Sequence, residues 1–384
     1  MNSDTSWHTA DYPELRFAPP WVMQEMIGME PGLAEEMLAR PSETASSIAN
    51  DIDAALRGGR VATVTGCGTS EHAAQGIAAL IAAAVPPEMR ALVRARPALR
   101  AALEPSDGVC LAVSHDGATR ATALAVAAAR AAGARTSVIT HDPSASVAAA
   151  ADHVFVTPRH DDSWCHTLAY TSALLAGASI GGSLGATTPH PAAARDVLAA
   201  AIELDARPVA ERLADRRVVL CAGAGIDHVS SRELALKIAE GARLPTVALE
   251  LETVLHGQLA GHEPADALVV VALADRPEGA RVARRLDHVV RAAAAIGIPV
   301  AALLSRPFDE RLASKLTPAG RLVVDLPEAG VLGPNLAALL AGAGLLQTLT
   351  LQLAHARNVN PDLIRREEAA YRQAAQAGEA TSDW

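Results

Sequence analysis

Short apolar runs alternate with alanine-rich stretches along the chain from residue 60 onward. The apolar runs are typical of buried strands and the alanine-rich stretches are typical of helices. In the first half this pattern predicts strands at 61–64, 108–113, 136–139 and 154–156, with helices at 70–84 and 119–132. Strands separated by helices of about 10–15 residues indicate a parallel sheet that is covered by helices.

The second half of the chain repeats this plan. It predicts strands at 217–221, 267–272, 299–303 and 322–324, a helix at 227–242 and a long closing helix at 335–357. We therefore predict an α/β protein built from two three-layer αβα domains with parallel sheets in tandem. The 384 residues suffice for two domains that each bury a core.

The boundary between the two domains is expected between Ala199 and Pro208. The resulting division gives an N-terminal arm at 1–40, a first domain at 41–204, a second domain at 205–357 and a C-terminal tail at 358–384. A helix at 21–37 in the arm has apolar spacing suited to packing on the second domain or on another subunit.

Both halves begin with a turn of small residues after a buried strand. The first turn reads Thr-Gly-Cys-Gly-Thr-Ser at 65–70, and the second reads Cys-Ala-Gly-Ala-Gly-Ile at 221–226. Each turn leads into a helix N-terminus, where free backbone N–H groups and the helix dipole favour an anion. Such a turn by itself is weak evidence for a ligand.

The charge balance narrows the classes of partner. The chain has 33 basic and 43 acidic residues, for a net charge of −10. This acidic balance argues against nucleic acid and an acidic membrane surface as partners, because both require a basic face.

The chain shows no sign of a membrane or secretory segment. The most apolar stretch, at 336–346, is shorter than the roughly 20 residues of a membrane span. The first four residues do not begin a signal peptide, so we expect a cytoplasmic protein. Four widely spaced cysteines favour reduced thiols over a structural metal site.

A second candidate anion site follows the strand at 108–113. Ser114 ends this apolar run, Gly117 permits a turn, and Thr119 stands where it would cap the next helix. Open α/β sheets bind ligands at this carboxyl edge. An ordinary strand-to-helix cap explains the same residues equally well.

The second domain contains the sharper signal for chemistry. Glu233, Lys237 and Glu240 have the spacing i, i+4 and i+7, which places them on one face of a helix with apolar neighbours. Lysine is rare here, since only Lys237 and Lys315 occur among the 33 basic residues. Unlike arginine, lysine can shift its pKa and act as an acid, a base or a nucleophile. His256 follows 16 residues after Glu240.

Together these motifs resemble the tandem SIS (sugar isomerase) proteins, in particular the isomerase half of glucosamine-6-phosphate synthase and the SIS-type glucosamine-6-phosphate deaminases. The resemblance covers nearly everything from Trp21 onward. It rests on the turn at 66–70, the loop at 114–119, the helix at 167–173, the Glu233/Lys237/Glu240 helix and the His-Gly pair at 256–257.

The resemblance implies a role for each matching residue. Glu240 would move a proton between C1 and C2 of a sugar phosphate, Lys237 and Glu233 would tune it, and His256 would open the sugar ring. The expected substrate pocket comprises Cys67, Gly68, Thr69, Ser70, Ser114, His115, Asp116, Thr119, Trp164 and His166. In the family the histidine reaches in from a second subunit, so a homodimer with shared sites is implied.

Three departures from the family pattern stand out. Asp116 replaces the second serine of the phosphate loop, and a carboxylate beside a phosphate is repulsive unless it is protonated, turned away or paired. The tail from residue 358 has no lysine to form a Schiff base, which arginine cannot replace. Trp164, Cys165 and His166 stand where smaller residues are expected.

We predict an enzyme that acts on a phosphorylated amino sugar by proton abstraction at C2. The leading assignment is a glucosamine-6-phosphate deaminase/isomerase, because the second residue is asparagine and not cysteine, and no glutaminase-like segment precedes the first domain to supply ammonia. The alternatives are a dehydratase of N-acetylglucosamine-6-phosphate and a non-catalytic SIS protein that senses sugar phosphates. Neither reaction requires a metal or an organic cofactor.

Overall fold

The fold contains two parallel five-stranded sheets with the same strand order, seen in a computed structural model that describes residues 16–379. The first sheet has the order β2-β1-β3-β4-β5, and the second has the order β7-β6-β8-β9-β10. Each strand of the second sheet therefore occupies the position of the strand five earlier. This arrangement confirms the predicted tandem α/β architecture. Met1–Asp4 and the start of the expected arm lie outside the described residues.

The elements have the following bounds. The strands are β1 Ala62–Gly66, β2 Val93–Pro97, β3 Val109–Val113, β4 Arg135–Thr140, β5 His153–Val156, β6 Val219–Gly223, β7 Thr246–Glu250, β8 Ala267–Ala272, β9 Val300–Ser305 and β10 Gly320–Val324. The helices are α1 Val22–Leu38, α2 Glu43–Arg57, α3 Thr69–Ala84, α4 Ala98–Leu103, α5 Arg120–Ala131, α6 Ser146–Ala149, α7 Leu168–Ser183, α8 Pro191–Ile202, α9 Arg207–Leu213, α10 Ile226–Lys237, α11 Gly279–Ile296, α12 Arg306–Arg311, α13 Ala329–Leu332, α14 Pro334–Ala356 and α15 Ala369–Glu379.

The two small-residue turns have the same geometry. Gly68 and Gly225 have φ values of 57° and 58°, which favour glycine. Gly66 and Gly223, which end β1 and β6, lie against the backbone of the following helix, and an added Cβ would approach that backbone within 2.6 and 2.4 Å. Glycine at these positions brings each helix N-terminus close to the end of its strand.

Sequence patterning missed two strands, β2 and β7. Both form an edge of their sheet. Edge strands need no continuous apolar run, because one side is not covered by another strand. Strand β2 accordingly reads Val-Arg-Ala-Arg-Pro, and only Val93 is fully buried. The central strands β1, β3, β6, β8 and β9 are buried along their whole length and were predicted.

One continuous apolar core joins the two sheets through α3, α7, α10 and α14. Helix α14 is long and apolar enough to cross a membrane by length and composition, but 94% of its apolar window is buried inside the protein. A helix that is apolar on all faces belongs to the core of a large protein when other elements surround it. Its 23 residues extend well beyond the apolar stretch at 336–346.

Helix α1 packs within its own chain, against α7, α8 and α14. Its contact with α14 agrees with the expected packing on the second domain. The chain passes from the first sheet to the second through α7, α8 and α9. The expected boundary at 199–208 overlaps the connection between α8 and α9 and stays a prediction.

Replacement of Gly66 by alanine tests the tight turn after β1. We expect Gly66→Ala to lower the free energy of unfolding by about 1–3 kcal/mol, because the new Cβ would overlap the backbone of Ser70. Gly28→Ala in α1 is the matched control, since nothing lies within 4 Å of its added Cβ. Urea denaturation should show no loss of stability for this control. Equal unfolding midpoints for the wild type and Gly66→Ala would contradict the constraint.

Candidate functional site

A buried lysine lies at the point where α10 changes its winding. The predicted helix at 227–242 is α-helical to Lys237 and continues as a π-helix over Ile238–Ala242. Lys237 Nζ lies 2.5 Å from Glu240 Oε2 and 3.7 Å from Glu233 Oε1. Lys237 and Glu233 are completely buried, whereas the side chain of Glu240 is 25% exposed. Glu240 is thus the acidic member of this trio that can meet a ligand.

The first domain supplies the remaining partners of Glu233. His72 Nδ1 lies 2.7 Å from Glu233 Oε2, and the Thr69 hydroxyl donates a hydrogen bond to Glu233 Oε1 over 3.2 Å. Both residues belong to α3, which begins at the first small-residue turn. The turn and the carboxylate–lysine helix therefore form one site across the two domains. His72 was not predicted from the sequence, in which its i+3 spacing from Thr69 is the feature that could have indicated a shared helix face.

The charges in this cluster stabilise one another. Burial by itself would raise the pKa of Glu233, but Lys237, with hydrogen bonds from His72 and Thr69, lowers it below its ordinary value. Burial likewise opposes the charged form of Lys237, but the carboxylates of Glu240 and Glu233 outweigh this effect and raise the pKa of Lys237. The lysine is an ammonium ion at neutral pH, which suits it to hold a carboxylate and not to act as an amine nucleophile.

The segment of Trp164, Cys165 and His166 passes beside this cluster. The Cys165 thiol is buried and lies 4.0 Å from the Lys237 carbonyl oxygen. Burial raises the pKa of Cys165, so its thiol stays protonated. Asp161, also buried, accepts hydrogen bonds from the N–H groups of Thr167 (2.7 Å) and Ala169 (2.9 Å) at the start of α7. This carboxylate fixes the path of the segment.

A small cavity of about 20 Å³ connects the two candidate regions of the first domain. Its lining includes Thr69, Ser70, His115, His166 and Tyr170. The volume admits about one water molecule. The cavity therefore marks the closed inner end of a site in which the turn after β1 and the loop after β3 face each other.

The loop after β3 departs from its prediction in one respect. Thr119 occupies the N-cap position of α5, but its side chain makes no capping hydrogen bond. Its hydroxyl instead accepts a 3.5 Å contact from Ser114 Oγ. Thr119 therefore occupies the predicted N-cap position, but the predicted capping hydrogen bond is absent, because its hydroxyl turns back toward the end of β3.

Asp116 forms an ion pair with His160, so its carboxylate is one of the paired kind that reduces repulsion of a phosphate. It is 58% exposed and lies 3.5 Å from His160 Nε2. The hydrogen bond from His160 lowers the pKa of Asp116, and the same contact raises the pKa of His160 to about 9. His115, in contrast, is buried, and burial lowers its pKa to about 4. The loop thus offers a neutral imidazole beside a carboxylate that has its own counter-ion.

His256 and Cys67 lie outside the lysine cluster. His256 is largely exposed, and its Nε2 contacts Glu252 Oε1 at 2.8 Å. Within a single chain, His256 therefore contacts Glu252 and is not part of the cluster around Glu240. Cys67 Sγ lies 3.8 Å from the Thr122 hydroxyl, and burial raises the pKa of its thiol. Cys67 thus has the character of a packing residue in the turn.

A buried carboxylate follows the second small-residue turn. Asp227, buried at the start of α10, accepts hydrogen bonds from the N–H groups of Leu273 (3.0 Å) and Ala274 (3.2 Å) after β8. Ser70 holds the equivalent position in the first domain, four residues after the glycine that ends the strand. The carboxylate that follows the second turn is therefore bound to the backbone after β8. The first turn has a neutral serine at this position.

The C-terminal tail closes over the same region. The Asp362 carboxylate accepts hydrogen bonds from Val22 N (2.8 Å) and Met23 N (2.7 Å) and thereby caps α1. Arg243, which follows the π-helix, forms ion pairs with Glu367 and Glu368. The Arg366 guanidinium lies 4.6 Å from the centre of the Trp164 ring. The tail thus reaches the segment beside Lys237 with an arginine.

Comparisons with known proteins identify a matching family and a shared fold. Residues 55–181 match the family described as the SIS domain. The chain superposes on the C-terminal domain of glucosamine-fructose-6-phosphate aminotransferase from Francisella tularensis with a TM-score of 0.75 and 18% identity, over 91% of this chain and 99% of that one. Tagatose-6-phosphate ketose/aldose isomerase from Escherichia coli gives a TM-score of 0.74 at 17% identity, over 92% and 97%. No curated protein matches the sequence. At such low identity these structures show a shared fold.

Removal of the lysine amine tests the electrostatic core of the site. Lys237→Met should lower the free energy of unfolding by about 3–5 kcal/mol, because it leaves two carboxylates without their counter-charge. The double variant Lys237→Met/Glu233→Gln should recover part of this loss, since one uncompensated charge is also removed. Urea denaturation measures both. A double variant no more stable than the single one would contradict the pairing.

Asp227 should make the stability depend on pH. Burial raises its pKa to about 7, so the folded protein binds a proton that the unfolded chain releases near pH 4. The proton bound by Asp227 contributes fully to the free energy of unfolding below about pH 4, and this contribution is lost as the pH rises to about 7. Asp227→Asn lacks this loss, so its stability relative to the wild type should rise by up to about 1.4 kcal/mol per pH unit in that window. Denaturation of both proteins at several pH values would reveal parallel curves if this assignment were wrong.

Proposed function

Since the first domain of this chain is a SIS domain within a tandem SIS fold, we propose that the protein is an enzyme that acts on a phosphorylated hexosamine. The proposed reaction is that of a glucosamine-6-phosphate deaminase/isomerase. It begins with removal of the proton at C2. The observation that carries the proposal is the partly exposed Glu240, which is held by a buried ammonium group.

Glu240 has the properties of the base for this step. Transfer of a proton between adjacent carbons requires one carboxylate within reach of both positions. Lys237 fixes the direction of the Glu240 carboxylate through the 2.5 Å contact. The π-helix supports the same role, because such irregular turns occur frequently at functional sites.

Glu233 and His72 lie on the buried side of Lys237, away from the exposed Glu240. Both are buried, and the 2.7 Å contact between them joins α3 to α10. We assign them as positioning residues, because Glu240 is the exposed member of the cluster. Lys237 itself has a raised pKa and stays protonated, which agrees with tuning of the base.

The substrate phosphate would occupy the first domain. Ser70, which lines the small cavity, stands at the N-terminus of α3, where a phosphate is favoured. Ser114 and Thr119 supply hydroxyls from the neighbouring loop. The two structural relatives support a phosphorylated sugar, because their names state a hexose or hexosamine phosphate.

The proposed chemistry balances without a cofactor. Glu240 takes the C2 proton of the open-chain amino sugar while O1 of the aldehyde gains a proton, which gives an enaminol. Glu240 then gives its proton to C1 and the nitrogen loses a proton, so that the proton gained by O1 is balanced and an imine remains at C2. Water then adds to the imine carbon and releases ammonia and a ketose phosphate. His256 of a second copy would assist ring opening, so the proposal includes a homodimer with shared sites.

Turnover of two amino sugars tests the proposal. The purified protein should release ammonia and a ketose phosphate from glucosamine-6-phosphate. Glu240→Gln should lower kcat by about 10²–10⁴-fold, because it removes the base. Glu211→Gln, an exposed substitution on α9, is the control and should leave kcat unchanged. Ammonia release and product mass are measured together.

Other outcomes point to the other hypotheses. Loss of one water from N-acetylglucosamine-6-phosphate, without ammonia from glucosamine-6-phosphate, would replace the deaminase by the dehydratase. Binding of both sugars without turnover would favour a sensing protein. Near-normal activity of Glu240→Gln would show that another group is the base.

A further inference from the structure

Four histidines gather at the carboxyl edge of the first sheet. His115 follows β3, His141 follows β4, and His160 and His166 follow β5. Their ring centres lie close together: 5.2 Å separates His160 from both His115 and His141, and 5.3 Å separates His115 from His166. The proton abstraction proposed above uses none of them. Imidazoles in such proximity are strong ligands for transition metals.

Two of these histidines and Asp116 lie close enough to one another to share a metal ion. One ligand atom each from His115, Asp116 and His160 lies within 4.8 Å of the other two. Asp116 Oδ1 is 3.5 Å from His160 Nε2 and 3.9 Å from His115 Nε2. Two ligands of a tetrahedral zinc ion are about 3.3–3.4 Å apart, as metal–ligand distances of about 2.0–2.1 Å require. Coordination would therefore require the loop to contract so that these ligand atoms approach one another.

The outer contacts fix the orientation of His160. Its Nδ1 lies 2.9 Å from Asp162 Oδ1 and donates a hydrogen bond to this carboxylate, so Nε2 is the nitrogen directed toward Asp116. A metal ion would replace the proton that Nε2 shares with Asp116 in the ion pair. A carboxylate on the far nitrogen is typical of metal-bound histidines, because it fixes the tautomer and increases the basicity of the ligand.

His141 and His115 each present an acceptor nitrogen. His141 donates Nδ1–H to the Thr157 carbonyl oxygen over 3.1 Å, which leaves its Nε2 as an acceptor. His115 Nε2 accepts a hydrogen bond from the Asp161 backbone N–H over 3.0 Å, so its lone pair also lies on Nε2. Coordination of His115 would replace this one hydrogen bond. His141 is the nearest additional imidazole for a fourth position.

We propose that His115, Asp116 and His160 bind one divalent transition-metal ion of the Zn²⁺ type. Two imidazoles and one carboxylate are the ligand types that such ions prefer, and three protein ligands leave a coordination position for water or a ligand. His115 also lines the small cavity, so the ion would stand at the rim of the candidate substrate site. This departs from the expectation of a metal-free protein.

The test is metal binding by the full-length protein after chelator treatment. Titration calorimetry with ZnCl₂ should show saturation at about one ion per chain, and Co²⁺ should give the visible absorption of a tetrahedral site. Asp116→Asn and His160→Gln should abolish this binding. Asp162→Asn should weaken it by about 10–100-fold, because Asp162 only orients His160.

His153→Gln is the matched control. His153 lies 3.1 Å from Asp51 and belongs to the same strand region, but it is not a member of the ligand set. This variant should bind Zn²⁺ like the wild type. Far-UV circular dichroism confirms that each variant is folded.

Three results would overturn the proposal. The first is absence of saturable Zn²⁺ and Co²⁺ binding by the folded wild type. The second is Zn²⁺ binding by Asp116→Asn and His160→Gln that equals that of the wild type. The third is saturable binding of inorganic phosphate without Zn²⁺ binding, which would make the histidines an anion site. Because the measurement does not involve turnover, its failure is distinguishable from failure of the proposed isomerase or deaminase activity.

Discussion

The buried ammonium group of Lys237 imposes the strongest constraint on this structure. A charge that is removed from water must be compensated within its own surroundings. Glu233 and Glu240 supply that compensation, and Glu233 in turn holds His72 and Thr69 of the first domain. The two domains therefore meet around this cation, and the π-helix after Lys237 brings one carboxylate of the pair to the surface.

The repeat explains why one domain is the better candidate for ligand binding. Both sheets have the same strand order, and both turns combine a glycine at the strand end with a glycine of positive φ. The position four residues after the strand differs, however. Asp227 satisfies the N–H groups that follow β8, whereas Ser70 is a small neutral residue in the equivalent turn. The two repeats thus differ in whether a carboxylate or a neutral hydroxyl follows the turn.

The N-terminal helix and the tail are tied to the site by polar contacts. Asp362 caps α1 and also accepts a hydrogen bond from Ser163, while the Asp362 carbonyl oxygen accepts one from Trp164 N–H. Arg243 joins the end of the π-helix to two glutamates of the tail. Segments far apart in the sequence therefore hold the stretch from 163 to 166 against Lys237. The tail supplies arginine at this place, which can stack on Trp164 but cannot form a Schiff base.

The sequence by itself determined the central strands, the helices α1, α3, α5, α10 and α14, and the spacing of Glu233, Lys237 and Glu240, because burial and helical periodicity are local patterns. It did not predict α2, α8, α9 and α11. It did not predict β2 and β7, two edge strands that are exposed along part of their length and carry no continuous apolar run. Only the tertiary structure decided which carboxylate is exposed, since the π-helix redirects Glu240. It alone also gathered His115, His141 and His160, which follow three different strands. Parallel neighbouring strands bring their carboxyl ends to one edge, and no local pattern records which side chains meet there.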